Sequence, residues 1–380
     1  AVNSCLYTAQ AHCPKVFFMP YEILSGGQWL PSAYAILISV LLGAIFATLF
    51  VTRLAKTYFK DPSLGAVMFG IWMMGIGSGI LYHVFTCSFY SVPEAASYMF
   101  TLAALWCWLS SIKHPNKVSI PWVFFGSLFM ACNLGCRPQF IFAALLAIPI
   151  YWNAVFKDRS LFSRRGFWPT VMAILPFVLV FVPLMMYNVA RFGSPLNFGE
   201  NYNLTIFNMT TAKRPGLIGT LPIAFYYLFQ PVSMSAFFPF IQTTTTPLLV
   251  YHPVEPAIGG FFTFVAPFAL IIFALPWLYS RHRYALSNAI LKEYQGKRQS
   301  SRNITVLFIV MALILSCIVM LFDSYMCGYT QRYVCDFGTM MIIPALMALF
   351  AMVPSHYFSQ AYAGDRRRAI QIVCAVLCAL

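Results

Sequence analysis

Apolar runs of about twenty residues, separated by short clusters of Lys and Arg, recur along the whole 380-residue chain. A bilayer core of ~30 Å needs about 20 apolar residues per helix, and runs of this kind in series have no soluble fold in which to be buried. Only 9% of the residues are charged, against about 25% in a soluble domain. The chain therefore reads as an all-α, polytopic helical membrane protein. Spans are expected near 31–52, 64–84, 93–111, 118–133, 138–155, 167–190, 256–280, 303–323, 337–354 and 369–380, about ten transmembrane helices in one transmembrane domain over 1–380. The runs are too long and continuous for barrel strands, which alternate apolar and polar residues over ~10-residue segments.

The basic residues orient these spans, because cytoplasmic loops collect Lys and Arg. Clusters at 53–60, 113–117, 157–165, 281–302 and 366–368 hold 18 of the 24, whereas Lys15, Arg137, Arg191, Lys213, Arg214 and Arg332 lie on the other side. The start of the chain accordingly faces outward, with the loops near 85–92, 134–137, 191–255 and 324–336. The net charge of +14 is then an orientation signal with some attraction to anionic lipid, and not a nucleic-acid surface. The apolar stretch 215–240 would reverse the six-charge loop 281–302 if it crossed once, so it is read as re-entrant or interfacial, within an outward loop region at 191–255.

The chain reads as a fragment at both ends: Ala1 is no initiator, the first thirty residues lack a signal-peptide plan, and IQIVCAVLCAL stops partway through an apolar helix. Outward Cys5, Cys13, Cys87, Cys327 and Cys335 could pair in an oxidising compartment, though spacing does not give the connectivity. No spacing resembles a zinc site, and no internal repeat is evident.

In so apolar a chain the surviving polar residues are functional candidates. Asp61, Asp158, Glu293 and Asp365 lie among inside basic clusters, whereas Glu22, Glu94, Glu200, Glu255, Asp323 and Asp336 lie outside or at outer helix ends. Three outward constellations follow. In Asn133-Leu-Gly-Cys-Arg137-Pro-Gln139, Gly135 and Pro138 break the helix and leave helix-end amides and a guanidinium near the surface, which suits a phosphate. The bland alternative is an arginine that snorkels and caps a helix end; no acidic neighbour in sequence offers it a partner. In the turn-rich run from Tyr187 to Thr205, Arg191, Asn197, Glu200 and Tyr202 offer charge, hydrogen bonds and an aromatic face, as sugar binding requires, or they simply pair within a folded loop. In Asp323 to Asp336, Arg332 and Asp336 are four apart and either form an ion pair or touch substrate. Glu94, just after Pro93, is read as a carboxylate favoured at a helix N-terminus.

The run YNVARFGSPLNFGENYNLT, followed by FYYLFQPV and the glycine pair of AIGGFF, resembles a group of large bacterial membrane proteins related to the family C glycosyltransferases. GCRPQ and QRYVCDF are similar to further elements of that pattern, and the resemblance covers about Tyr21 to Asp336. It implies a multi-span enzyme of the bacterial plasma membrane that transfers a sugar from a polyprenyl-phosphate carrier to an acceptor at the outer face. It marks Arg137, Arg191, Tyr202, Arg332 and Asp336 as pattern positions, and places the general base in an outward loop after the first helix, where this chain departs with YTAQAHCPKVFFMPY.

An inverting transfer needs a carboxylate base, positive charge for the departing phosphate and an apolar groove for the tail. Arg137 is the expected phosphate ligand and Arg332 the second. Arg191, Tyr202, Asn197 and Gln139 are further binding candidates, and Glu200 and Asp336 are the carboxylates to consider for catalysis. A divalent cation at the phosphate is compatible with this chemistry, but no Asp-x-Asp pair calls for one. Two other classes stay open: a transporter or lipid flippase, and a non-catalytic protein that binds the lipid carrier.

Overall fold

The computed structural model describes residues 12–352 apart from 29, 60–61, 115–116, 200–215, 239, 244–256 and 277–297. The expected spans 256–280 and 369–380 therefore lie partly or wholly outside the described residues, as do Glu200, Tyr202 and most of the outward loop region. The described chain is helical apart from two short antiparallel ribbons, β1 (Ile112–His114) with β2 (Lys117–Val118) and β3 (Ser233–Met234) with β4 (Ile241–Gln242). Six of its helical segments are long and apolar enough to cross a membrane: 32–58, 64–86, 138–156, 167–192, 304–326 and 331–352. The protein is thus an integral membrane protein by its helices, with fewer qualifying spans than the ten expected. The difference has local causes. The expected span at 93–111 is fully helical, but Glu94, serines and aromatic residues dilute its apolarity. The one at 118–133 yields a helix of only 13 residues.

The chain divides into two compact units, residues 1–50 with 80–214, and residues 51–79 with 215–380. The first unit contains α1 (His12–Leu24), the first part of α2 (Ser32–Tyr58), α4 (Leu81–Thr86), α5 (Ser91–Ser111), α6 (Ile120–Cys132), a 3-10 stretch Pro138–Leu146 that continues as α7 (Ala147–Phe156), and α8 (Phe167–Phe192). Its centre is α5, in which every residue except Trp106 is buried. Helices α5 and α6 pack directly, and α8 packs on α6. Close approach explains the glycine: a Cβ at Gly126 would sit 2.4 Å from the Trp108 indole, so the small residue seats that ring. Ala96, Met99, Phe100 and Cys136 form an apolar cluster against Leu42, Phe46, Phe129 and Cys132. The Tyr151 hydroxyl lies 2.9 Å from Ser111 Oγ, which ties α7 to the end of α5.

The second unit contains the remainder of α2, α3 (Leu64–Ile76), α9 (Leu217–Phe229), a π-helical turn Phe261–Val265, a 3-10 stretch Pro267–Ala274, α10 (Arg298–Met326) and α11 (Val334–Met352). Here α11 is the central helix, buried from Val334 to Ala351. Helices α3 and α10 and the 3-10 stretch pack around it, with Phe59 edge-on to Phe350 and the Ser316 hydroxyl donating to the Phe337 carbonyl. Each unit is therefore organised on one buried helix that carries a buried carboxylate in its first turn, Glu94 in α5 and Asp336 in α11.

Candidate functional site

In the first unit, Glu94 is completely buried, and an ionised carboxylate in such a place must be paired. Its partner is Arg137, 43 residues away, whose Nη1 donates to Oε1 at 2.7 Å. Arg137 stands where α6 ends: the chain turns through Asn133–Gly135 and restarts as a helix at Pro138, whose missing N–H suits a first helical turn. This break lets the guanidinium reach back to α5 while its side chain stays 14% exposed. The other carboxylate oxygen, Oε2, lies 3.1 Å from Nδ1 of His83, a fully buried residue in the short helix α4. That contact is within ion-pair distance but lacks hydrogen-bond alignment, and neither imidazole nitrogen has a hydrogen-bond partner among the described residues.

Polar residues continue along α5. Ser97 and Thr101 follow Glu94 at helical spacing and are buried, as is Asn133, whose Nδ2 donates to the Thr101 hydroxyl at 3.0 Å. Ser97 Oγ and Asn133 Oδ1 have no hydrogen-bond partner among the described residues. A buried polar group left without a hydrogen-bond partner is costly, and such groups are a mark of functional sites.

The structure revises the reading of Arg137 and Glu94. Arg137 does have an acidic partner, supplied through the third dimension, and Glu94 stands in the first turn of its helix, as expected, but also holds Arg137 and lies beside His83. His83 escaped sequence reasoning altogether. The signal was present, since a histidine inside an apolar helical segment is itself a functional hint. Gln139, half-buried, sits in the first turn of the helix that follows Arg137.

The run after α8 is largely scaffolding where it is described. Buried Asn188 donates to the Pro195 carbonyl at 3.0 Å and staples the loop onto its own helix. Gly193 ends that helix at φ 72°, a left-handed position that favours glycine. The Asn197 side chain accepts the Gly199 N–H at 3.0 Å, which makes it a turn former. Arg191 bonds the Tyr187 hydroxyl at 3.1 Å and lies over the Phe192 ring, with its guanidinium carbon 5.0 Å from the centroid.

The second unit gathers the third constellation. Asp323, at the end of α10, is buried, as are Tyr329, Thr330 and Gln331 in the connection that follows. The Tyr227 hydroxyl donates to the Gly328 carbonyl at 2.9 Å and accepts the Thr330 N–H at 3.2 Å, pinning that connection to α9. Arg332 stacks on Tyr333, 4.9 Å from ring centroid to guanidinium carbon, and bonds its hydroxyl. Asp336 is buried in the first turn of α11. Aromatic rings, an amide and charge are thus collected at one place, with the Tyr227 hydroxyl and the Gln331 amide engaged by the chain's own backbone. Among the described residues no group of three His, Cys, Asp or Glu side chains is arranged to hold a metal ion.

No protein family, curated protein or solved structure matches the chain.

Proposed function

We propose that the protein is a membrane glycosyltransferase that takes a sugar from a polyprenyl-phosphate carrier and delivers it to a hydroxyl acceptor at the outer face of the bacterial plasma membrane. The observation that carries this reading is the partly exposed Arg137 guanidinium, fixed by Glu94 at a helix break. The carboxylate fixes the orientation of the fork, and the restarting helix adds its amide dipoles. Glu94 offsets part of the positive charge, which favours release of the product phosphate over tight retention. The resemblance of the Arg-Phe-Gly-Ser-Pro run agrees with this reading.

The ten-span arrangement with a re-entrant 215–240 segment and an outward start belongs to the same proposal. Its test is labelling: a cysteine introduced as Lys292→Cys stays protected from an impermeant maleimide in intact cells and reacts after permeabilisation. Labelling in intact cells would reverse the orientation.

The function itself is tested in lipid vesicles with polyprenyl-phosphate-linked pentose and hexose donors and alkyl glycoside acceptors. Carrier phosphate is released by the wild type, and Arg137→Lys, which keeps the charge and loses the fork, weakens donor binding. No release with any donor, together with unchanged donor binding by the variant, contradicts the reading. A transporter is the second reading, favoured by the buried Glu94, Ser97 and Thr101 stripe. Saturable uptake of a labelled solute into proteoliposomes, without carrier cleavage, would establish it instead.

A further inference from the structure

We infer that His83 is the base that accepts the acceptor proton, with Glu94 as its positioning residue; this rests on the transferase reading above. His83 is fully buried, yet neither of its nitrogens has a hydrogen-bond partner among the described residues. Buried polar atoms are almost always satisfied, and exceptions are a mark of catalytic sites or of places that take a water or ligand. Nδ1 lies 3.1 Å from Glu94 Oε2, so the carboxylate favours the tautomer protonated on that nitrogen and leaves Nε2 with a lone pair. Bonds of this type are often poorly aligned without substrate and tighten when it binds.

The same carboxylate holds Arg137 through its other oxygen. One buried side chain thereby sets both ends of the reaction, the proton acceptor and the phosphate ligand. Ser97 Oγ and Asn133 Oδ1 are further unsatisfied buried atoms in the same unit. Because His83 is fully buried, the proton reaches Nε2 through a bridging water. In the step itself the acceptor O–H bond breaks and its proton passes to Nε2. The oxygen bonds to the anomeric carbon, and the bond from that carbon to the phosphate oxygen breaks, its electron pair leaving with the polyprenyl phosphate. The imidazolium then returns its proton to water.

The titratable or charged groups on the surrounding elements are Tyr82 on α4, Glu94, Tyr98 and Cys107 on α5, and Cys136 and Arg137 at the break. Helix α1, which packs on α5 and on the break, carries Tyr21 and Glu22 among its described side chains.

The test is the transfer assay on the full chain in vesicles, with kcat and KM for the donor measured separately. His83→Gln lowers kcat by about 10²-fold or more and keeps KM for the donor. Glu94→Gln lowers kcat and also raises KM for the donor, because the same carboxylate fixes Arg137, and Glu94→Asp recovers part of both losses. If His83→Gln folds and keeps its rate, the inference is overturned while the transferase reading stands. If His83→Gln fails to fold, the Glu94 pair decides: equal rates for Glu94→Gln and wild type overturn it. A wild type that releases no carrier phosphate overturns the reading and this inference together.

Discussion

Replacing Arg137 with Ala is expected to destabilise the protein by about 3–5 kcal/mol, because it strands a carboxylate that has no exposure to solvent. The magnitude comes from the asymmetry of buried pairs. An intact pair contributes little beyond its own desolvation, but removing one member leaves the other charged and uncompensated. The effect should appear as a clear loss of Tm in detergent. The double variant Glu94→Gln with Arg137→Met should regain most of it, since no lone charge is left. If Arg137→Ala alone melts like the wild type, Glu94 is neutral or otherwise compensated, and the electrostatic account of the triad fails.

Gly260→Ala is the second large effect. A Cβ there would lie 2.6 Å from the Gln230 nitrogen and 2.7 Å from both the carbonyl carbon and the oxygen of Leu228, all of them backbone atoms. No side chain can swing away, so the end of α9 and the π-helical turn must separate. That separation breaks the 2.9 Å bond from the Gly260 N–H to the Gln230 carbonyl and the bond from the Thr263 hydroxyl to the same oxygen. The loss should reach or exceed the upper end of the about 1–3 kcal/mol typical of overpacking. Gly216→Ala is the control: that glycine has φ −60° and nothing within 4 Å of a Cβ, so its substitution should stay within about 0.5 kcal/mol. Equal melting of the two variants would mean that the α9 junction yields, contrary to the packing described.

These two cases also show what the sequence could and could not reveal. The spans were legible wherever an apolar run is unbroken, as at 32–58 and 167–192, the latter helical despite Pro176 and Pro183. They were less legible where packing replaces lipid contact: α5 is a full-length helix whose polar residues are hidden inside its unit rather than absent. Arg137 was recognisable as a lone cation at a helix break. Its partner was not, because the pair joins residues 43 apart and exists only once α5 and α6 pack. The glycine pair of AIGGFF could be noted as a pattern, but its reason, backbone touching backbone across residues 228–260, has no periodicity to read. Asn197, expected as polar chemistry, serves the loop in which it stands. In a membrane helix hydrophobicity is local and readable, whereas the satisfaction of a buried polar group is a tertiary property.

The most direct measurement of the central claim is single-turnover cleavage of a polyprenyl-phosphate-linked sugar by the reconstituted chain, following the freed polyprenyl phosphate and the glycosylated acceptor in the same reaction. Both are expected to appear together in equal amounts with the wild type and to be lost together when Arg137 is replaced by Lys. Intact donor after prolonged incubation, with the donor bound equally by wild type and variant, would contradict it.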